Sequence, residues 1–117
     1  MKRILLIEND DNTRELVRLI LKESEFEVIE LRRKIPVEKI IELQPHLILL
    51  DYLLDDGRGS DVCLELKSNP AAMHIPIILF SARNDVDRIA FACKADSFIA
   101  KPFDMHYLKQ KVKEMSL

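Results

Sequence analysis

The chain has 117 residues, and 18 basic against 20 acidic side chains leave a formal charge of −2, which excludes a strong electrostatic bias toward nucleic acid. With 48% apolar and 32% charged residues the composition suits one globular domain over residues 1–117 and argues against disorder. Gly57 and Gly59 are the only glycines, too few for the loops with which P-loop and Rossmann enzymes approach phosphates.

The opening MKRILLIEND holds a short apolar run before acids intervene, too short for a signal-peptide core or a membrane span. A soluble, cytoplasmic protein without membrane attachment is expected. The same run predicts a first strand over Arg3–Ile7. Asp10-Asp11-Asn12-Thr13 then supplies capping chemistry for a helix whose apolar stripe is Leu16, Leu19 and Ile20. A second strand is predicted over Phe26–Glu30, and Pro36 suits the first position of a second helix. A third strand over His46–Leu50 precedes a helix carrying Val62, Cys63 and Leu66. A fourth over Pro76–Phe80 precedes one carrying Ile89, Ala92 and Cys93. A fifth strand over Ser97–Ala100 leads to a last helix with Tyr107, Leu108, Val112 and Met115, running almost to Leu117.

Three of these strands are nearly continuous apolar runs, as central parallel strands covered by helices on both faces require. The fold class is therefore α/β, a doubly wound five-stranded parallel sheet. Cys63 and Cys93 show neither CxxC nor Cys/His ligand spacing, so they are expected as buried free thiols. His46, His74 and His106 lack partners at ligand spacing, and Arg32-Arg33-Lys34 and Lys109, Lys111, Lys113 are read as solvated faces.

In such a sheet, sites form beyond the carboxyl ends of the strands. Those ends carry Glu8, Asn9 and Asp10 after the first strand, Asp51 after the third, Ser81 and Ala82 after the fourth, and Lys101-Pro102 after the fifth. Clustered carboxyl and carbonyl oxygens suit a hard cation such as Mg²⁺, and a carboxylate beside it can attack a phosphoryl group. A hydroxyl and an ammonium would hold the transferred oxygens.

Taken together and in order, the segments KRILLIEND, PHLILLDYLL, HIPIILFSA and FIAKPFD resemble the receiver domain of bacterial two-component response regulators, over the whole chain. The resemblance implies a flavodoxin-like fold with strand order 2-1-3-4-5 and a phosphorylation-controlled signalling switch. Asp51 would be the phosphoacceptor, with Mg²⁺ held by Glu8, Asn9, Asp51 and the Leu53 carbonyl. Ser81, the Ala82 N–H and Lys101 would cradle the phosphoryl oxygens, Ser81 and Phe98 would form the switch, and Lys101-Pro102 would be a cis peptide. A sensor histidine kinase or phosphotransfer protein would donate the phosphoryl group. The only chemistry of the domain's own would be self-phosphorylation and slow self-dephosphorylation, not turnover as an enzyme. The signal would leave through the face of the fourth helix, fifth strand and fifth helix, toward a partner protein or a second copy.

Three departures stand out. Asn9 replaces the aspartate usual in the family's acidic pair, which weakens the expected cation site by one charge. Asp55 replaces the usual proline four residues beyond Asp51 and is followed by Asp56 and Gly57. Lys94-Ala95-Asp96 stands where GAD is usual. The first departure favours an alternative, a pseudo-receiver that binds partners without phosphate. A flavodoxin-like or phosphatase-like enzyme is disfavoured by the lack of a phosphate loop and of a DxDx[TV] motif.

Overall fold

In the computed structural model, which describes residues 1–116, β1 (Arg3–Ile7) leads through α1 (Asp11–Lys22) to β2 (Glu27–Leu31), and α2 (Val37–Leu43) leads to β3 (Leu47–Asp51). A small hairpin of β4 (Leu53–Leu54) and β5 (Gly57–Arg58) precedes α3 (Gly59–Lys67). The chain continues through β6 (Ile77–Ser81), α4 (Val86–Ala92), β7 (Ser97–Ala100) and α5 (Met105–Met115). Leu117, the expected end of the domain, lies outside the described residues.

The five longer strands pair in parallel in the order β2-β1-β3-β6-β7, which is the order 2-1-3-4-5 when the hairpin strands are left out of the numbering. The hairpin is a separate antiparallel ribbon that the periodicity did not announce. Alternation along each strand explains the apolar runs, because successive side chains serve opposite faces. Leu5, Ile7, Ile48, Leu50, Ile77 and Leu79 pack under α2, α3 and α4. Ile4, Leu6, Leu47, Leu49, Ile78 and Phe80 pack under α1 and α5.

Three helices present faces different from those anticipated. On α1 the buried set is Val17, Ile20 and Leu21, while Leu16 and Leu19 are exposed beside Met105 of α5. On α4 the sheet receives Val86, Ala90 and Cys93, leaving Ala92 and Phe91 in solvent and Ile89 half-buried. On α5, Leu108 and Val112 are buried, Met115 is half-buried and Tyr107 is exposed. Pro36 sits one position before α2 rather than inside it: its ψ of 145° is extended, and its carbonyl accepts the first helical hydrogen bonds. Cys63 and Cys93 are free and buried, and the fold brings them together: the Cys63 thiol donates to the Cys93 carbonyl at 3.2 Å.

Candidate functional site

The sheet ladder runs past the apolar segments and delivers polar residues to one rim. Asp51 is the last residue of β3 and pairs in register with Phe80, and Ser81 ends β6 opposite Ala100. Beyond the strands, the Glu8 N–H donates to the Leu31 carbonyl at 3.0 Å and the Lys101 N–H to the Ser81 carbonyl at 2.8 Å. Backbone pairing therefore fixes where each side chain starts. Glu8, Asn9, Asp10, Asp51, Leu53, Ser81, Ala82, Arg83 and Lys101 line one cavity of about 410 Å³ at this rim.

Lys101 organises the cavity. Its ammonium lies 2.6 Å from Glu8 Oε1 and 3.3 Å from Asp51 Oδ1, joining residues 93 and 50 positions away. The ammonium also sits 5.9 Å from the centroid of the Phe80 ring, which is stacked on Phe103, and the Lys101-Pro102 peptide is cis. Glu8 is fully buried and Asp51 nearly so. Burial, followed by the neighbouring Glu8 carboxyl, raises the Asp51 pKa from 3.8 to about 7 against the opposing pull of Lys101. Two buried carboxyls thus share one ammonium, leaving an excess of negative charge and of oxygen acceptors.

The close approach of α3 shapes the floor. Gly59, its first residue, lies against the Asp51 carbonyl so tightly that a Cβ would collide with backbone, and its N–H donates to the Tyr52 carbonyl at 2.7 Å. Alternation along the hairpin then turns the Leu53 carbonyl away from the partner strand, although the Leu53 side chain is exposed. Glu8, Asp51, Leu53 and Asn9 border one cavity, and the two carboxylates, backbone carbonyl and amide oxygen they carry suit a hard divalent cation.

Asp10 is committed elsewhere. Its Oδ2 caps α1, accepting from the Thr13 N–H at 2.8 Å and from its hydroxyl at 2.7 Å, and these bonds hold the carboxyl below its ordinary pKa. Asn9 instead meets the hairpin, its Nδ2 donating to Asp55 Oδ1 at 3.1 Å. Ser81 Oγ accepts the Arg83 N–H at 3.0 Å, and Ala82 is exposed between them. Phe98 is not brought into the cavity; it lies on β7, 38% exposed. The sequence reading missed Arg83, whose guanidinium pairs with Asp85 at 2.9 Å and rests 5.7 Å from the Tyr52 ring centroid. No periodicity or cap marks such a residue.

Comparison with known proteins bears on this geometry. The family model of the response regulator receiver domain matches residues 4–113. Response regulator ArlR of Staphylococcus saprophyticus is 32% identical, over 98% of this chain and 52% of that protein. The phosphate regulon transcriptional regulatory protein PhoB of Escherichia coli is also 32% identical, over 96% of this chain and 50% of that protein. The chain thus spans about half the length of the curated relatives it matches. Among solved structures, the manganese-bound form of response regulator Rcp1 superposes with a TM-score of 0.77 at 27% identity, covering 98% of this chain and 91% of that one. With the family model matched over residues 4–113 and relatives 32% identical over nearly its whole length, this chain belongs to the response regulator receiver domain family.

Proposed function

We propose that the domain is a phosphorylation-controlled switch of a two-component phosphorelay, with Asp51 as the phosphoacceptor. The observation that carries this is the Lys101 ammonium bridging Glu8 and Asp51 in a cavity where Asp51 is the only carboxylate at the end of the central strand β3. An Asp51 oxygen forms the bond to phosphorus as the bond to a phosphohistidine nitrogen breaks, and the donor leaves as imidazole. Lys101 would face the transferred oxygens, with the Ser81 hydroxyl and the Ala82 N–H beside it, since all three residues line the same cavity. Glu8, Asp51, the Leu53 carbonyl and Asn9 would hold Mg²⁺, which when bound offsets the charge of carboxylates and phosphoryl oxygens. The manganese in the Rcp1 structure supports a divalent cation here. Later attack by water would release phosphate slowly.

The donor would be a sensor histidine kinase or a phosphotransfer protein in the cytoplasm, a compartment suited to the free buried thiols. The signal would reach a partner or a second copy through α4, β7 and α5, where Phe91, Phe98 and Tyr107 are exposed. Asn9 favours a second reading, the phosphate-independent pseudo-receiver. Acetyl phosphate with Mg²⁺ decides between them: peptide mapping by mass spectrometry should find one phosphoryl group on Asp51 and none in Asp51→Asn. Labelling elsewhere overturns the assignment, and no labelling selects the pseudo-receiver.

A further inference from the structure

The amide of Asn9 stands where the acidic pair is one charge short, and a hydrogen bond ties it to the hairpin. Its Nδ2 donates to Asp55 Oδ1, a contact bridging 46 positions of sequence. An ionised carboxylate accepts hydrogen bonds and does not donate them, so this contact settles the amide's orientation: nitrogen toward the hairpin, Oδ1 away from it. Among the described residues Asn9 Oδ1 accepts no hydrogen bond, and Asn9 borders the cavity shared by Glu8, Asp51 and Leu53. Asp55 does not border that cavity.

The hairpin explains why Asp55 reaches Asn9. Asp55 and Asp56 form the two-residue loop between Leu54 and Gly57. Their carboxylates diverge, since Asp56 Oδ1 accepts the Lys34 N–H at 3.4 Å while Asp55 turns to Asn9. Asp10, the other nearby acid, is engaged in capping α1. Among the described residues, Asp55 is the carboxylate that accepts a hydrogen bond from the amide.

We propose that Asp55 is a positioning residue of the cation site, holding Asn9 with its Oδ1 presented as a ligand and returning through that amide the charge that residue 9 lacks. A carboxylate accepting the amide N–H also polarises the amide and makes its oxygen a better donor to a cation. The acid has in effect moved from the loop after β1 to the hairpin after β3. This rests on the cation reading given above, and the test separates the two.

Mg²⁺ binding is measured by calorimetry and by amide chemical shifts in the unphosphorylated domain, for the wild type, D55N, D56N, N9D and the double variant N9D/D55N. Asp55 is exposed, so its replacement leaves the core intact. D55N, which keeps an acceptor for the Asn9 amide but removes its charge, should weaken Mg²⁺ binding about tenfold, the usual scale for altering a partner that orients a ligand. D56N should change it less than about twofold, since that carboxylate faces Lys34. In the N9D background D55N should cause no loss, because a carboxylate at position 9 needs no partner to supply charge. Wild-type affinity in D55N, an equal loss in D55N and D56N, or an undiminished D55N loss in the N9D background each overturns the proposal. Failure of both the wild type and N9D to bind Mg²⁺ overturns the cation reading itself, and this proposal with it.

Discussion

Replacing Asp51 by asparagine should stabilise the cation-free domain, and the gain should grow with pH. Burial and the Glu8 carboxyl raise the Asp51 pKa from 3.8 to about 7 in the folded chain. Below about pH 4 this carboxyl is protonated in folded and unfolded chains alike. Between there and about pH 7 the folded chain retains a proton that the unfolded chain has released, so stability falls as pH rises; above about 7 both are ionised and the loss is complete. At about 1.4 kcal/mol per pH unit, the whole span amounts to at most about 4 kcal/mol, and sharing of the charge with Glu8 through one ammonium places it at about 2 to 4 kcal/mol. Asp51→Asn deletes this titration while leaving Lys101 paired with Glu8 at 2.6 Å. Urea unfolding of both proteins in EDTA, from about pH 4 to about pH 8, should show the variant's advantage widening by that amount. If the proposed cation site includes Asp51, added Mg²⁺ should narrow the gap at about pH 8 by binding the ionised native carboxylate. A gap that stays flat or closes with rising pH would refute the reasoning, since Asp51 would then ionise in the fold as readily as in water.

Lys101→Met should lower stability at about pH 8 by about 3 kcal/mol, because it leaves the buried Glu8 and Asp51 carboxyls without their cation; urea unfolding measures this, and a loss below about 1 kcal/mol contradicts it. Lys94→Gly should raise stability by about 1 kcal/mol, because Lys94 follows α4 in the left-handed region at φ 63° and is exposed there. Thermal unfolding checks that gain, and a lower Tm counts against it.

The limits of sequence legibility are physical ones. The bounds of β1 and β7 coincide with their apolar patterns, whereas β2, β3 and β6 begin and end one residue later than their predicted spans. In β3 and β6 the ladder continues through Asp51 and Ser81, whose polarity says site rather than strand. That same polarity at strand ends made Glu8, Asp51, Ser81 and Lys101 visible as a cluster, since a parallel sheet must bring such ends together. On α1, Leu16/Leu19/Ile20 and Val17/Ile20/Leu21 are overlapping stripes, and only packing against the sheet selects the second. The hairpin is too short for periodicity: Leu53-Leu54 and Gly57-Arg58 are each two residues long. Asp55 and Asp56 therefore read as two equivalent extra acids, and the turn that sends them in different directions emerged only in three dimensions.

The ion pair between Glu8 and Lys101 spans 93 positions, and between its partners lie the two outer edges and the centre of the sheet. As a chain emerges from synthesis, the acids after β1 and β3 are present long before their ammonium. Neither meets that ammonium until β7 has added beside β6 and carried Lys101 over the rim. A sheet still lacking β7 thus has the acidic side chains but not their shared counterion. Assembly of the rim cavity and completion of the sheet thereby become a single event.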